Sequence, residues 1–498
     1  MSRTMQAGRH IYAVLWTALF AVVAVLAVWK LESHRVGVNV SSVATPGGPA
    51  TVYTAQDTQA PGPLVLVAHG FAGSTQMMQT ISLDLARAGF TVAAFDFAGH
   101  GRSVELLSPD IGNIAGTTRQ LVDQAETVLR AVREQTGTTG PVGLVGHSMA
   151  TDIIIRLARR VPDAAGIVAV SMYSEAVSPT FPERLLMISG AWEARLREAA
   201  LNNMSMVAPD ASEGETRGTD GVLRRAVAVP GTEHVAVLFS TVTLRETRNW
   251  LGAALSHEPR GRVVHTGLWV LVLLVSLVAA LRGVSRGLGH TAQEPDPPGT
   301  VRYLLILLSG AVAGTVAGFL TDGSLLGMAG FGGLFAFMAV WGLVTLALLY
   351  RSGMRMTAPP VPGLLLLLVW GLAVFAPAMD RYAASFVPAG PRVVLMALLM
   401  PAAVAFMLAD RILHAGAAPW QRMVGRIMPV AALALLMIAG GGGIALLFTV
   451  LPVLVLFFIV YGTMGTWISR RSGPEAAGVA LGACLAWAIA ASTPLFAG

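Results

Sequence analysis

Residues 142–150, VGLVGHSMA, decide the fold of the first half of this 498-residue chain. A short apolar run ends at Gly146, and a helical pattern begins directly after Ser148. We predict a strand, a sharp turn and a helix, with the Ser148 hydroxyl held clear of the backbone at the tip. Small residues are needed at positions 146 and 150, because neighbouring backbone passes close to both. The stretch matches the pattern G-x-S-x-G except that Ala150 replaces the last glycine, which adds one methyl group.

The composition indicates that part of the chain does not lie in water. The sequence is 54% hydrophobic and 12% charged, with a mean hydropathy of +0.65. The net charge of +6 does not indicate a nucleic-acid partner, because the arginines lie mostly between apolar spans without interleaved aromatic residues. The single cysteine, Cys484, lies in an apolar run, so we expect neither a disulfide framework nor a cysteine metal site.

The N-terminus carries a basic segment followed by an apolar run at 11–29. This run is long for the core of a signal peptide, and the Ala-Val-Trp sequence before Lys30 is not a small-residue cleavage site. We therefore predict that residues 1–35 form a cytoplasmic N-terminus and a retained transmembrane anchor. Lys30 is the only lysine among abundant arginine, alanine and glycine, a composition typical of a GC-rich bacterial genome.

Residues 36–258 are predicted to form an α/β domain. Strands alternate with helices, which predicts a mainly parallel sheet with helices on both faces and a ligand at the carboxyl ends of the strands. The predicted strands are 36–43 and 51–54, which form a hairpin, then 64–68, 91–96, 142–145, 167–171, 185–189 and 225–229. The predicted helices are 77–87, 117–135, 151–160 and 240–255.

Residues 259–498 are predicted to form an all-α transmembrane domain of about eight spans. The spans are 263–282, 302–320, 325–350, 361–378, 391–409, 424–440, 444–468 and 475–496, with the weakest boundary at 440–443. Arginines are concentrated in alternate connections, which places the N-terminus in the cytoplasm and the α/β domain outside it. The expected location is thus a bacterial inner or plasma membrane, with membrane lipids as neighbours.

The spans themselves carry few signs of transport chemistry. No charged residue lies clearly in the middle of a span, which disfavours an ion-coupled pump. Gly310, Gly314 and Gly318 lie on one helix face, which predicts close helix packing, with a lipid-binding groove as the alternative.

Two loops follow the first core strands of the α/β domain. The sequence AHGFAG at 68–73 can direct a backbone N–H at an oxyanion, and we assign the amides of Phe71 and Met149 as the two donors. The alternative is an ordinary strand-to-helix turn capped by Ser74. The sequence DFAGHGRS at 96–103 is interpreted as a structural loop tied by Asp96 and Arg102, so His100 is not the predicted base.

A carboxylate and a histidine follow two later strands. Glu193 comes three residues after Gly190, where a carboxylate can orient an imidazole, although a glutamate at a helix start is the alternative. Its rivals as the acid are Glu175 and Asp220. His234 follows the last strand and precedes the last helix, which makes it the predicted base.

Together, the stretches HGFAGS, DFAGHGRS, GHSMA and GTEH resemble the α/β-hydrolase superfamily, in its monoacylglycerol-lipase-like and serine-aminopeptidase-like branch, over about residues 40–256. The resemblance implies a catalytic triad in the chain order Ser148, Glu193, His234. Glutamate replaces the usual aspartate after its strand. Only a short connection fits between Ser171 and Pro182, where many relatives insert a helical cap. The pocket is therefore expected to be open, or closed by residues 192–223 or by the membrane.

These observations predict a membrane-anchored serine hydrolase of the esterase or lipase type, with a lipid-like acyl ester as substrate. No cofactor or metal is expected. One alternative is an envelope acyltransferase that uses the same triad, although an open pocket would exclude water poorly. The other is a transport or scaffold protein whose hydrolase-like domain is a degenerate binding module.

Overall fold

The computed structural model describes residues 3–56, 60–111, 113–289, 298–321 and 323–498. The chain forms two compact units. The first, which we call the sheet unit, comprises Ala27–Leu271 and Arg381–Ser385. The second, the helical unit, comprises Met1–Leu26, Val272–Asp380 and Phe386–Gly498.

A nine-stranded, mainly parallel sheet runs through the sheet unit, as the sequence predicts. Its spatial order is β1-β2-β4-β3-β5-β6-β7-β9-β8. The first two strands form the predicted antiparallel hairpin, and β8 adds an antiparallel edge. The strands are β1 Val38–Val43, β2 Ala50–Ala55, β3 Leu64–Ala68, β4 Thr91–Phe95, β5 Val142–His147, β6 Ala164–Val170, β7 Arg184–Gly190, β8 Thr216–Thr219 and β9 Val222–Val229.

The order of the strands reverses around β3. This strand pairs in parallel with β4 on one side and with β5 on the other, so Leu64 lies opposite both Thr91 and Val142. The chain therefore runs outward from β3 to β4 and then returns across β3 to β5. Such a reversal leaves a crevice at the carboxyl ends of the strands, where parallel sheets bind their ligands.

Helices cover the sheet because each buries one apolar face. In α3, the apolar side chains predicted from helical spacing, among them Leu121, Ala125 and Val132, are all buried. All five residues of β3 are buried too, as a strand covered on both faces requires. The helices of the sheet unit that follow the N-terminal helix are α2 Gln79–Arg87, α3 Arg119–Thr136, α4 Met149–Ala158, α5 Ala194–Ser205 and α6 Thr241–Ala254.

The segment between β7 and β9 contains two elements that the sequence does not predict, α5 and β8. The sequence of α5, ARLREAALNNMS, has a weak apolar face, and only Ala200, Asn203 and Met204 in it are buried. Strand β8 has an exposed pattern and pairs only with β9. Both elements depend on tertiary contacts, which local periodicity does not reveal.

Among the described residues, eight helical segments are long and apolar enough to cross a membrane. They are Ile11–Ser33, Gly267–Gly287, Thr300–Leu320, Phe331–Arg351, Val361–Tyr382, Pro391–Leu413, Pro419–Gly440 and Val450–Ser492. The corresponding helices are α1 Arg3–Ser33, α7 Gly267–Val284, α8 Thr300–Leu320, α9 Phe331–Arg351, α10 Val361–Leu368 with α11 Ala376–Tyr382, α12 Pro391–Leu413, α13 Pro419–Gly440 and α15 Val450–Ser492. The short helix α14, Gly442–Ala445, lies at the predicted weak boundary, where Gly441 and Gly442 have positive φ angles of 56° and 52°.

The last helix, α15, is 43 residues long but is interrupted at Gly473, whose φ of 88° and ψ of 158° are not helical. An unbroken helix of this length would extend about 65 Å, roughly twice the hydrocarbon thickness of a bilayer. A Cβ on Gly465 would lie 2.5 Å from the side chain of Leu481. These two residues are too far apart along a straight helix to touch, so the chain folds back on itself at Gly473. The two halves correspond to the separate spans predicted at 444–468 and 475–496.

The N-terminal helix has a partner within the helical unit. Trp16 Nε1 donates a hydrogen bond to the carbonyl of Ala279 in α7 at 2.8 Å. The guanidinium of Arg282 lies 5.5 Å from the Trp16 ring centroid, and that of Arg286 lies 4.9 Å from the Tyr12 ring. Helices α1 and α7 are therefore packed together, although more than two hundred residues separate them.

The glycine face of α8 is used for packing, as its small residues predict. Added Cβ atoms at Gly310 and Gly314 would lie 2.5 Å from Thr345 Oγ1 and 2.8 Å from the carbonyl oxygen of Phe337, both in α9. At Gly318 the Cβ would lie 2.6 Å from Leu436 in α13. The face is thus filled by neighbouring helices.

Candidate active site

Ser148 lies on a strained turn between β5 and α4. Its φ of 52° and ψ of −120° are rare for a residue with a side chain. Its amide donates to the carbonyl of Val170 at 2.8 Å, which fixes the turn against β6. A Cβ on Gly146 would lie 2.7 Å from the carbonyl oxygen of Ala150, so the sharp turn requires glycine there. The geometry explains the small residues around the serine and presents its hydroxyl at the crevice.

His234 reaches Ser148 from the turn that follows β9. Its Nε2 lies 2.9 Å from Ser148 Oγ. The turn is held by hydrogen bonds from the Thr232 hydroxyl to the Val229 carbonyl at 2.9 Å and from the Trp192 amide to the Thr232 carbonyl at 3.2 Å. The ring is thus placed beside a hydroxyl from which it can accept a proton.

Glu193 lies on the other side of the His234 ring. Its Oε1 is 2.5 Å from His234 Nδ1, while Oε2 accepts from the Gly190 amide at 2.6 Å and the Ser171 hydroxyl at 2.8 Å. Burial alone would raise the pKa of Glu193, but the hydrogen bonds from His234, Gly190 and Ser171 lower that pKa below its ordinary value. The carboxylate therefore stays ionised and holds the Nδ1 proton of the imidazole in place.

The two rival acids lie elsewhere. Glu175 is exposed and accepts a hydrogen bond from the Tyr173 hydroxyl at 3.3 Å. Asp220 is exposed in the turn between β8 and β9 and has a φ of 48°. Of the three carboxylates considered from the sequence, the structure brings only Glu193 to His234. Glu193 also precedes helix α5, so the alternative role at a helix start is compatible with its position.

His147 belongs to this site and was missed by the sequence analysis. Its Nε2 donates to the carbonyl oxygen of His234 at 2.9 Å, and the two rings lie 4.8 Å apart. Burial, together with the nearby His234, lowers the pKa of His147 to about 4, so its ring is neutral near pH 7. It supports the backbone that carries His234. Its place directly before Ser148 was the available signal.

The loop after β3 packs directly against the nucleophile. A Cβ on Gly70 would lie 2.9 Å from Ser148 Cβ, so the loop backbone touches the serine. Phe71 follows in this loop, and Met149 is the first residue of α4, where an amide has no carbonyl partner within its own helix. Both residues predicted as oxyanion donors therefore lie next to Ser148. Ser74 donates no cap to α2, which begins later, at Gln79.

The loop after β4 is held together by Asp96, as predicted. Its carboxylate binds backbone amides and not the Arg102 side chain. Asp96 accepts from the Arg102 amide at 2.8 Å and from the Thr75 amide at 2.7 Å. His69 links the same loops, because its Nε2 accepts from the Phe97 amide at 3.0 Å. His100 is buried and donates from Nδ1 to the Ala98 carbonyl at 2.8 Å. This loop supports the site, and the position of the base beside Ser148 is occupied by His234.

The crevice has little cover on one side. Between Ser171 and Pro182 the structure has no helix, so no helical cap is inserted there. Two aromatic side chains remain exposed near the site: Tyr173 is 63% exposed and Trp192, next to Glu193, is 71% exposed. Arg197 in α5 forms a two-pronged ion pair with Glu213, at 2.9 and 2.8 Å, which holds the segment after Trp192 in place.

Comparison with known proteins finds a family model that is similar to part of the sheet unit. Residues 59–227 match the family described as serine aminopeptidase, S33. No curated protein matches the chain.

Several solved structures are similar to the sheet unit. An epoxide hydrolase from an endophytic Streptomyces is 17% identical, covering 45% of this chain and 97% of its own, with a TM-score of 0.33. A thermophilic esterase from Thermogutta terrifontis is 13% identical over 44% of this chain and 99% of its own, with a TM-score of 0.30. An α/β serine hydrolase without lid from Xanthomonas campestris is 18% identical, covering 44% of this chain and 94% of its own, with a TM-score of 0.31. With its mainly parallel sheet and the family match at residues 59–227, the sheet unit is an α/β-hydrolase domain similar to the serine aminopeptidase S33 family.

Proposed function

We propose that the sheet unit is a serine hydrolase that cleaves an acyl ester through an acyl-enzyme intermediate. One observation carries this proposal: the hydrogen-bonded chain that runs from Ser148 Oγ through His234 to Glu193, with contacts of 2.9 and 2.5 Å. A serine, an imidazole and a carboxylate in this arrangement form an activated nucleophile.

In the proposed first step, Ser148 Oγ attacks the ester carbonyl carbon while His234 Nε2 accepts the hydroxyl proton. Glu193 stabilises the imidazolium that forms. The amides of Phe71 and Met149 donate hydrogen bonds to the oxyanion of the tetrahedral intermediate. When the intermediate collapses, the bond to the leaving alcohol breaks and His234 returns its proton to that oxygen. Water then attacks the acyl-enzyme by the same sequence and releases a carboxylic acid and free Ser148.

A lipid-like acyl chain is the proposed specificity. Tyr173 and Trp192 are exposed near the catalytic chain, and Val235, next to His234, is 41% exposed. An exposed group of large apolar side chains around a polar site suits a substrate with a polar reacting group and an apolar tail. A series of p-nitrophenyl esters tests this directly: kcat/KM should rise with acyl length, and a maximum at acetate would contradict it.

The proposed location is a bacterial inner or plasma membrane, with the sheet unit on the extracytoplasmic side. The support is the distribution of arginines between the apolar helices. Labelling of cells with a membrane-impermeant maleimide provides the test, because the only native cysteine, Cys484, is buried. Glu175→Cys should react on intact cells, whereas Arg355→Cys should react only after permeabilisation. The reverse pattern would overturn the orientation.

The enzymatic proposal is tested by labelling membranes that contain the full chain with a fluorophosphonate probe. Wild-type protein should become labelled, and Ser148→Ala and His234→Ala should not. Glu193→Gln tests the triad carboxylate in the same experiment. Glu175→Gln is its matched control, because it removes an exposed carboxylate that lies away from the triad. If folded wild-type protein stays unlabelled, the sheet unit is not an active serine hydrolase. Probe labelling that persists in His234→Ala would exclude His234 as the base.

A further inference from the structure

A second polar site lies in the helical unit and contains none of the residues used in the proposed hydrolysis. It is a cavity of about 470 Å³ formed by the ends of α12 and α13 and the first half of α15. Four arginines and one histidine line it: Arg411, Arg422, Arg426, Arg470 and His414. The lining described by the structure contains no carboxylate-bearing residue. A cavity with this lining attracts anions.

A single acidic residue, Asp410, lies behind the lining, with a side chain that is 7% exposed. Arg426 Nη1 lies 2.7 Å from both of its oxygens, and Arg411 Nε lies 3.2 Å from one of them. Asp410 thus fixes the positions of two guanidinium groups but cannot neutralise the four.

His414 adds a further positive charge by its hydrogen bonding. The Tyr303 hydroxyl donates to the Gln421 carbonyl at 2.6 Å, so it must accept from His414 Nε2, which lies 3.0 Å away. On the other side, Nδ1 faces the carbonyl and the carboxylate of Asp410 at 2.6 and 3.2 Å, and both of these groups accept. With these partners both ring nitrogens donate, which favours the protonated, positively charged form of His414. Four arginines and His414 against Asp410 leave a net charge of 5 − 1 = +4 at the cavity.

Further contacts hold Arg426 and Arg411 in the cavity lining. The Arg426 guanidinium lies 4.5 Å from the ring centroid of Phe458, and Arg411 Nη1 donates to Thr466 Oγ1 at 3.2 Å. Arg411 is 6% exposed. Arginines at the end of a membrane helix ordinarily extend to water or to lipid headgroups. Here four arginines converge instead on one cavity, and two of them, Arg411 and Arg426, are held by other side chains.

Two of the arginines have guanidinium N–H groups that form no hydrogen bond or ion pair among the described residues. Arg422 Nε is buried and has no hydrogen-bond partner among the described residues. Arg470 is exposed at the mouth of the cavity and forms no ion pair within the described part of the chain. A buried guanidinium donor without a partner is costly, so an incoming acceptor that pairs with it is stabilised.

We propose that this cavity binds a phosphate group. Guanidinium groups recognise phosphate with paired, charge-assisted hydrogen bonds, and four of them line this cavity. The same chemistry serves the headgroup of an anionic phospholipid and a soluble phosphate compound. The site is independent of Ser148 and does not require the proposed hydrolase activity.

The test uses the purified full chain in neutral detergent. Inorganic phosphate is titrated against chloride at constant ionic strength, and binding is measured by calorimetry. The double variant Arg422→Gln/Arg470→Gln removes two arginines whose side chains form no hydrogen bond or ion pair among the described residues, so it should fold normally. We expect it to weaken phosphate binding by about tenfold or more. The matched control Arg351→Gln/Arg355→Gln removes the same charge from α9 and the segment after it, and should bind as wild type does.

A second arm separates the two sources of phosphate. The proteins are incorporated into vesicles of phosphatidylcholine with one tenth phosphatidylglycerol, extracted, and analysed by native mass spectrometry for retained lipid. Retained phosphatidylglycerol in wild type and in the control, but not in the cavity variant, identifies a lipid headgroup as the source. Binding of inorganic phosphate without lipid retention identifies a soluble phosphate compound. The proposal is overturned if wild type binds neither, or if the control loses binding as much as the cavity variant does.

Discussion

The two units each contain a histidine beside a buried carboxylate, and the two pairs differ in what faces the second ring nitrogen. In the sheet unit, His234 Nδ1 contacts Glu193 at 2.5 Å, and its Nε2 faces the hydroxyl of Ser148 at 2.9 Å. A hydroxyl can donate a proton as well as accept one. The His234 side chain is also 43% exposed, so a substrate can reach it.

In the helical unit, His414 contacts Asp410 through Nδ1, while its Nε2 faces a hydroxyl whose own proton is committed to the Gln421 carbonyl. Both nitrogens must donate, and the side chain is only 5% exposed. A histidine–carboxylate pair therefore does not by itself indicate a catalytic site. The partner of the second nitrogen decides whether the ring exchanges protons or holds a fixed charge.

Removing the serine or the histidine of the proposed triad should give the largest effect. We expect Ser148→Ala or His234→Ala to lower kcat for ester hydrolysis by about 10⁶-fold with little change in KM, because the nucleophile or its base is lost. The measurement is steady-state hydrolysis of a p-nitrophenyl ester by the full chain in detergent. A variant that keeps more than a hundredth of the wild-type rate would show that hydrolysis takes place elsewhere.

Exchanging the carboxylate for an amide in each unit sharpens the contrast. Glu193→Gln should lower kcat by about 10⁴-fold, since the amide favours the wrong tautomer of His234 and no longer stabilises its charged form. Asp410→Asn should leave the catalytic step unchanged but destabilise the helical unit, because it leaves buried cations unpaired. Kinetics and thermal unfolding are measured on the same samples, with Asp220→Asn as a control. Equal kinetic effects of the two exchanges would break the comparison.

A smaller effect is expected where the loop after β3 contacts the nucleophile. A Cβ on Gly70 would lie 2.9 Å from Ser148 Cβ, so Gly70→Ala must displace the loop that carries Phe71. We expect kcat to fall by about 10²-fold, the loss typical of one oxyanion donor. The fluorophosphonate probe should still label Ser148, although more slowly. Unchanged kinetics would remove Phe71 from the oxyanion site.

The last effect concerns pH and acts on stability rather than on kcat. The pKa of His147 is about 4 in the folded chain and near 6.5 when unfolded, so the unfolded chain takes up this proton first as the pH falls. Stability is therefore lost between about pH 6.5 and 4, by up to about 3 kcal/mol. Glu193, with a lowered pKa, loses its contribution only further into acid, below its unfolded pKa.

The measurement is the temperature at which probe labelling is lost, recorded from pH 7 to pH 4. The variant His147→Gln keeps a side-chain donor toward His234 but does not titrate, so its curve should be flatter. An identical slope in wild type and variant would contradict the assigned pKa of His147.

The residues of the candidate site could be proposed from the sequence because each has a local signature. The turn at Ser148 needs small neighbours, and Glu193 and His234 each follow the end of a strand, so topology alone brings them to one edge of the sheet. His147 was missed because its role depends on a carbonyl 87 residues away along the chain. The choice among the three candidate acids likewise required the structure, since all three lie in polar segments.

The helical unit was predicted less completely. Apolar length located the helices, but their uniform hydrophobicity does not indicate which faces meet. The cluster around Asp410 joins residues from α8, α12 and α13, and the charges of Arg411, Arg422 and Arg426 were interpreted from the sequence only as markers of orientation. Their convergence on one cavity emerges only from the packing.

The pairing of α1 with α7 has a consequence for how the protein is made and processed. The ribosome releases α1 first, and α7 follows only after all nine strands of the sheet have been synthesised. Helix α1 therefore lacks its contact with α7 while the strands of the sheet are being synthesised. A processing protease that cut after α1 would remove the donor of the Trp16 hydrogen bond from α7 and would leave the sheet unit attached through residue 271. Cleavage there would remove a contact within the helical unit without releasing the sheet unit.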